Sequence, residues 1–154
     1  MIPPVIQTNN LPDGVNARHN LFCIRIRPDL KHYEAILAQE RYEWFYLRKW
    51  GLLTMLPIVV LAVYIGGIEG WVLGILAIPA HVFGPRWPAN LRRMEIIGHT
   101  IEWIMATERL GAPKASYLKS EAYALTRYKQ FKGWTLEECM DAMVKAEPIA
   151  RKYV

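Results

Sequence analysis

The sequence predicts a mainly α-helical chain with one short edge strand, an apolar helical hairpin and an extended N-terminal arm. Three observations lead there. Apolar residues recur at helical spacing in several segments, residues 52–83 carry the single formal charge Glu69, and Pro and Asn crowd the first twenty positions. With 154 residues, 53% of them hydrophobic and 21% charged, the chain can bury a core, which excludes disorder.

Pro3, Pro4, Pro12 and Gly14 favour an extended arm over residues 1–20. This start has neither a basic n-region nor an apolar h-region, so no secretory signal is expected. Residues 21–27 alternate, with Phe22, Ile24 and Ile26 on one face and Cys23, Arg25 and Arg27 on the other: one short strand. Pro28 ends it and Asp29 is the expected N-cap of a helix over residues 30–50, which has apolar residues at 33, 36, 37, 44 and 47 and closes at Gly51. Residues 52–83 then form two apolar halves around Gly66-Gly67-Ile68-Glu69-Gly70. Each half is about 20 Å of helix, against about 30 Å of bilayer hydrocarbon, so two full spans are not expected. Arg48, Lys49, Arg86, Arg92 and Arg93 flank the outer ends, as a hairpin with both ends on the cytoplasmic side requires. Packing against other protein is the equal alternative, and either role would use Leu52, Leu56, Val60, Trp71, Ile75 and Phe83.

Pro85 and Pro88 form a linker. A helix over 91–110 stops at Gly111 and Pro113, another runs over 116–131 to Gly133, and Thr135 with Glu138 makes a capping box opening a last helix to Pro148. The domain reading is an arm over 1–20 and one helical domain over 21–154.

Positions 36, 40, 43 and 47 share a helical face, so Ile36 and Leu47 would bury Glu40 and Glu43. Glu95, His99 and Glu102 share another. Unpaired buried carboxylates are costly, which calls for a cation, a shared proton or a polar network; a salt-bridged network through Arg41, Arg92 or Arg93 is the first expectation. Trp44 and Trp103 are expected in the core or at an interface, and His99 taken alone is expected to be a satisfied core histidine before it is a ligand. A ferritin-like di-iron site would need Glu-x-x-His on each of two helices, whereas this chain offers Glu40-x-x-Glu43 and the reversed His99-x-x-Glu102.

The run from Arg27 through Gln39-Glu40-Arg41-Tyr42-Glu43, followed by Arg48-Lys49-Trp50-Gly51-Leu52-Leu53, resembles small zincin-type metallopeptidases of bacteria and phages. Arg92-Arg93-Met94-Glu95 resembles the family's second helix, and the likeness covers roughly residues 21–110. It implies a zincin-like domain in which Gln39 and Glu43 stand at the two zinc-ligand histidine positions, Glu40 at the general-base position and Glu95 at the third-ligand position. Both histidines are replaced, and a neutral amide oxygen is a poor zinc ligand. The expectation is therefore a non-catalytic structural protein on a decayed peptidase scaffold, a phage virion component with no metal or cofactor. The alternative is a metal-dependent peptidase or hydrolase, possible at a membrane, with Glu40 catalytic, zinc as cofactor and Glu43, Glu95 and His99 as the metal ligands.

Expected partners are other virion proteins or copies of the chain, with a membrane through residues 52–83. The expected location is the virion or host cytoplasm, with inner-membrane association as a further option. No specific nucleic acid is expected, because the 19 Lys and Arg behind the net charge of +5 are scattered and no helix-turn-helix, RNP or zinc-finger pattern occurs. Cys23 and Cys139, without a C-x-x-C motif, fit a reducing compartment. The resemblance predicts that Gln39→His combined with Glu43→His raises zinc affinity, measured by competition with a chromophoric chelator. An unchanged affinity would argue that the likeness is accidental.

Overall fold

The computed structural model describes residues 2–13, 15–20, 22–83 and 86–154, the side chain of Val82 excepted. Met1 and Gly14 of the expected arm, the expected strand start Leu21 and the linker residue Pro85 lie outside the described residues. The chain is mainly helical. Strands β1 (Val5–Gln7), β2 (Ala17–His19) and β3 (Ile24–Ile26) precede helices α1 (Tyr33–Ile65), α2 (Gly67–Phe83), α3 (Pro88–Glu108), α4 (Lys114–Thr126) and α5 (Leu136–Ala150), with a 3-10 turn at Lys129–Phe131. They form two compact units: Met1–Trp44 with Arg92–Val154, and Phe45–Leu91. The expected single helical domain after the arm is thus divided, with the hairpin as a unit of its own.

In the first unit the expected arm is instead part of a sheet. The strand order is β1-β3-β2, with β1 parallel and β2 antiparallel to β3, so the expected edge strand is the central one. The Arg27 guanidinium explains how a Pro- and Asn-rich segment is held: it donates to the carbonyls of Val15 at 3.0 Å, Leu11 at 3.2 Å and Pro12 at 3.3 Å. Phe22 is exposed, contrary to its expected place beside Ile24 and Ile26, because the Asn20 side chain accepts from the amides of Phe22 and Cys23 and keeps both in the turn before β3. Ile24, Ile26 and Leu37 form a small core, with Val5, Ala17 and Ile36 packed on it.

Helix α1 begins at Tyr33, after the expected Leu30, because Leu30 and His32 accept from Tyr33 and Ala35 in a preceding turn. It then passes through Gly51, where the sequence reading ends it. Gly51 is there for space, not termination: a Cβ would lie 2.7 Å from the ring nitrogen Nδ1 of His81 on α2. The chain turns at Gly66 and Gly67, whose φ values of 63° and 58° suit residues without a Cβ.

Helix α3 stops before Gly111, as expected. The expected helix over 116–131 ends at Thr126, where the Thr126 hydroxyl donates to the Tyr123 carbonyl, and its last part is the separate 3-10 turn. The Thr135–Glu138 capping box is present, and α5 continues past Pro148 to Ala150, with Arg151 closing on the Glu147 carbonyl. Cys139, Met143, Ala146 and Ala150 are its buried stripe, while Trp44 and Trp103 are buried as expected. Both cysteines are buried and free.

Candidate metal centre

Five glutamates are buried in the first unit: Glu40 and Glu43 on α1, Glu95 and Glu102 on α3, and Glu121 on α4. Helical spacing puts each pair on an inward face, as the sequence indicates. Gly98 lets the helices meet there, since a Cβ at that position would lie 2.7 Å from Glu43 Oε1 and 3.1 Å from Gln39 Cγ. The expected arginine network is not what satisfies these carboxylates. Among the described residues, their ion-pair partners are histidines: His19 Nδ1 lies 2.8 Å from Glu40 Oε2 and 3.9 Å from Glu43, and His99 Nδ1 lies 2.7 Å from Glu121 Oε2. Arg41 and Arg93 are exposed because they adjoin the inward-facing Glu40 and Met94 and are turned away from them around the helix.

Gln39 donates from Nε2 to Glu43 Oε1 at 2.8 Å, and the Tyr117 hydroxyl donates to Glu102 Oε1 at 2.7 Å. Gln39 thus orients a carboxylate. Among the described residues of this cluster, two buried atoms lack a hydrogen-bond partner, Glu95 Oε2 and His99 Nε2, and they face each other at 3.9 Å. That separation is too long for a hydrogen bond. It matches two ligands on one cation, each at about 2.1 Å, which can be at most about 4.2 Å apart. Leaving such buried atoms unpaired costs about 1–3 kcal/mol each.

The second ring nitrogen supports the same assignment. With Nδ1–H donating to Glu121, the neutral imidazole keeps its lone pair on Nε2, toward Glu95, and a carboxylate behind a metal-binding histidine fixes tautomer and ring plane in this way. Two groups of side chains have ligand atoms within 4.8 Å of one another, His19 with Glu40 and Glu43, and His99 with Glu102 and Glu121. A cavity of about 380 Å³ opens beside them, with Gln39, Glu40, His99, Glu102, Glu121 and Tyr128 on its wall.

Burial pushes the Glu95 carboxyl up to about 7, with Glu40 nearby adding to the effect. Glu102 also rises to about 7, through burial and then the charge of Glu121. Glu43 lies well above the usual carboxylate range because of burial, then Glu95 and Glu40. For His99, burial favours the neutral ring, but the hydrogen bond to Glu121 and the surrounding carboxylates outweigh it and raise the imidazole. The cluster therefore holds protons where a divalent cation would otherwise balance its charge.

Glu40, Glu43, Glu95 and His99, which the sequence names only for the alternative of an active or metal-bound chain, are all buried in this cluster. The sequence reading missed His19 and Glu121. His19 lies in the segment read as an arm, and Glu121 sits on a helix whose mixed composition gives no sign that one carboxylate is buried. Neither a protein-family model, a curated protein nor a solved structure matches this chain.

The raised groups fix the sign of a pH dependence. Between about 4.5 and about 7 the folded chain holds carboxyl protons that the unfolded chain has released, so stability falls as pH rises through that window. A raised His99 acts in the same direction. Without added cation, the melting temperature is expected to drop by about 5 °C or more from pH 5 to pH 8, with a shallower slope in Glu95→Gln. Thermal unfolding across this range checks it; a melting temperature that climbs over the same interval would contradict the protonated cluster.

Proposed function

We propose that this chain is a divalent-cation-dependent hydrolase, with the cation held by Glu95 and His99, the charge of Glu43 close by and Glu40 as general base. The observation that carries the reading is the facing pair of unpartnered atoms, Glu95 Oε2 and His99 Nε2, in a site where Glu121 fixes the imidazole. An imidazole set among carboxylates suits a harder ion than the zinc of the resembled peptidases, with Mn²⁺ the best match. A cation there supplies Lewis-acid polarisation of a substrate oxygen. Glu40, on the cavity wall, is the group to take a proton from the attacking water, and His19 Nδ1, 2.8 Å away, holds that carboxylate in place. The cavity is lined on one side by Val15, Asn16 and Ala17 at the start of β2, an outer strand of its sheet. An extended peptide pairing along such an edge would bring its carbonyls to the cavity, which makes a peptide the favoured substrate class.

A second reading rests on a different observation: the six large apolar residues singled out on the hairpin, Leu52, Leu56, Val60, Trp71, Ile75 and Phe83, are all exposed. It makes the chain a non-catalytic assembly protein of a phage particle whose carboxylate cluster is a relic. Titration calorimetry with Mn²⁺ and with Zn²⁺ at pH 7.5 separates the two. The hydrolase reading expects about one ion per chain, with Mn²⁺ affinity at least about tenfold lower in His99→Ala and in Glu95→Ala but retained in Glu40→Gln. No stoichiometric binding of either ion to the intact chain would overturn it and favour the assembly reading.

A further inference from the structure

The second unit is built inside out. Its two helices touch through small or polar residues. Gly51 lies against His81, the Thr54 hydroxyl donates to the Ala80 carbonyl at 2.9 Å, and Gly70 sits against the Ala62 carbonyl where any side chain would clash. Among the described residues, Ala62 and Ala77 are the buried hydrophobic ones of this unit. Large apolar side chains point the other way, and not on one stripe: Val60, Val63, Tyr64, Ile68, Trp71 and Ile78 are each at least 60% exposed. A soluble protein buries large apolar groups and exposes small polar ones. Helix pairs in lipid reverse this, because apolar contact with acyl chains costs nothing and small residues let backbones approach.

Length and punctuation fit the same solvent. Helix α1 is long and apolar enough to cross a membrane, and only 11% of its apolar window is buried, unlike the core helix of a soluble protein. From Trp50 to its end, α1 rises about 24 Å, and α2 rises about 25 Å, close to the about 30 Å of hydrocarbon. The tip at residues 66–70, with Glu69, therefore comes near the far headgroups. Tyr64 and Trp71 flank that tip, 88% and 79% exposed, and Trp87 lies just beyond the base, 70% exposed. Aromatic rings at both ends of an apolar segment mark the two interfaces of a bilayer. Arg48, Lys49 and Arg86 add positive charge at the base, complementary to anionic headgroups.

We propose that residues 50–83 insert into an anionic lipid bilayer as a helical hairpin that enters and leaves by the same face. Lipid is the occupant because the apolar exposure surrounds both helices; a protein partner or a second copy would cover one side. This inference is independent of the metal reading, since it uses no residue of the cation site.

Flotation of the full chain with vesicles tests it, comparing phosphatidylcholine alone with phosphatidylcholine plus phosphatidylglycerol. The chain should float with both, more completely with the anionic mixture, and stay bound in high salt and carbonate. Val60→Asp and Ile75→Asp replace exposed side chains on the two helices. Each should weaken partition about a hundredfold while the helical circular dichroism is kept. Brominated acyl chains should quench the tryptophan fluorescence of the intact chain more than that of Trp71→Phe. A chain that stays soluble and monodisperse in plain buffer with vesicles present would overturn the proposal, as would one that forms a defined oligomer and does not float. Release from vesicles by high salt alone would overturn insertion too, since it would leave only surface attraction.

Discussion

Burying five carboxylates in one small unit is the constraint on which the rest of the first unit turns. Each ionised glutamate taken from water needs a proton, a cation or several donors, and like charges a few ångströms apart cannot all remain. The chain meets this with two imidazoles, one amide and one phenol: His19 on Glu40, His99 on Glu121, Gln39 on Glu43 and Tyr117 on Glu102. Among the described carboxylates of the cluster, Glu95 keeps one buried oxygen without a hydrogen-bond partner, and it faces the equally unpartnered Nε2 of His99. Protons satisfy the cluster at low pH, and in the function we propose a divalent ion replaces them as pH rises.

The fold serves this arrangement through local choices. Gly98 removes the side chain that would keep α3 from Glu43, and α4 brings Glu121 behind His99. The sheet contributes His19 from β2, and β2 keeps its place because it pairs with β3, with Arg27 binding the loop before it. The segment that looks least structured in the sequence therefore delivers a site residue.

Much of this was legible in the residues. Helical spacing put Glu40, Glu43, Glu95 and His99 on inward faces, and Thr135 with Glu138 marked the start of α5. What escaped depends on partners distant in sequence. Strands of three residues such as Val5–Gln7 carry no periodicity of their own, and they form because Ile24 and Ile26 offer a row of hydrogen bonds. Gly51 reads as a helix stop unless the ring of His81 is known to lie against it. Arg41, Arg92 and Arg93 looked like counter-ions by proximity in sequence, but neighbours along a helix face different directions. The hairpin shows the opposite case, where composition identifies the segment and the distribution of large and small residues is what favours the lipid surroundings we propose.

The central claim is that His99 presents Nε2 to a cation shared with Glu95. Electron spin-echo spectroscopy of the Mn²⁺-loaded chain, prepared with natural-abundance and with nitrogen-15 histidine, tests it most directly. The account predicts a single directly bound imidazole nitrogen whose coupling changes with the isotope and disappears in His99→Gln. Bound Mn²⁺ showing no histidine coupling, or a coupling that survives His99→Gln, would contradict it.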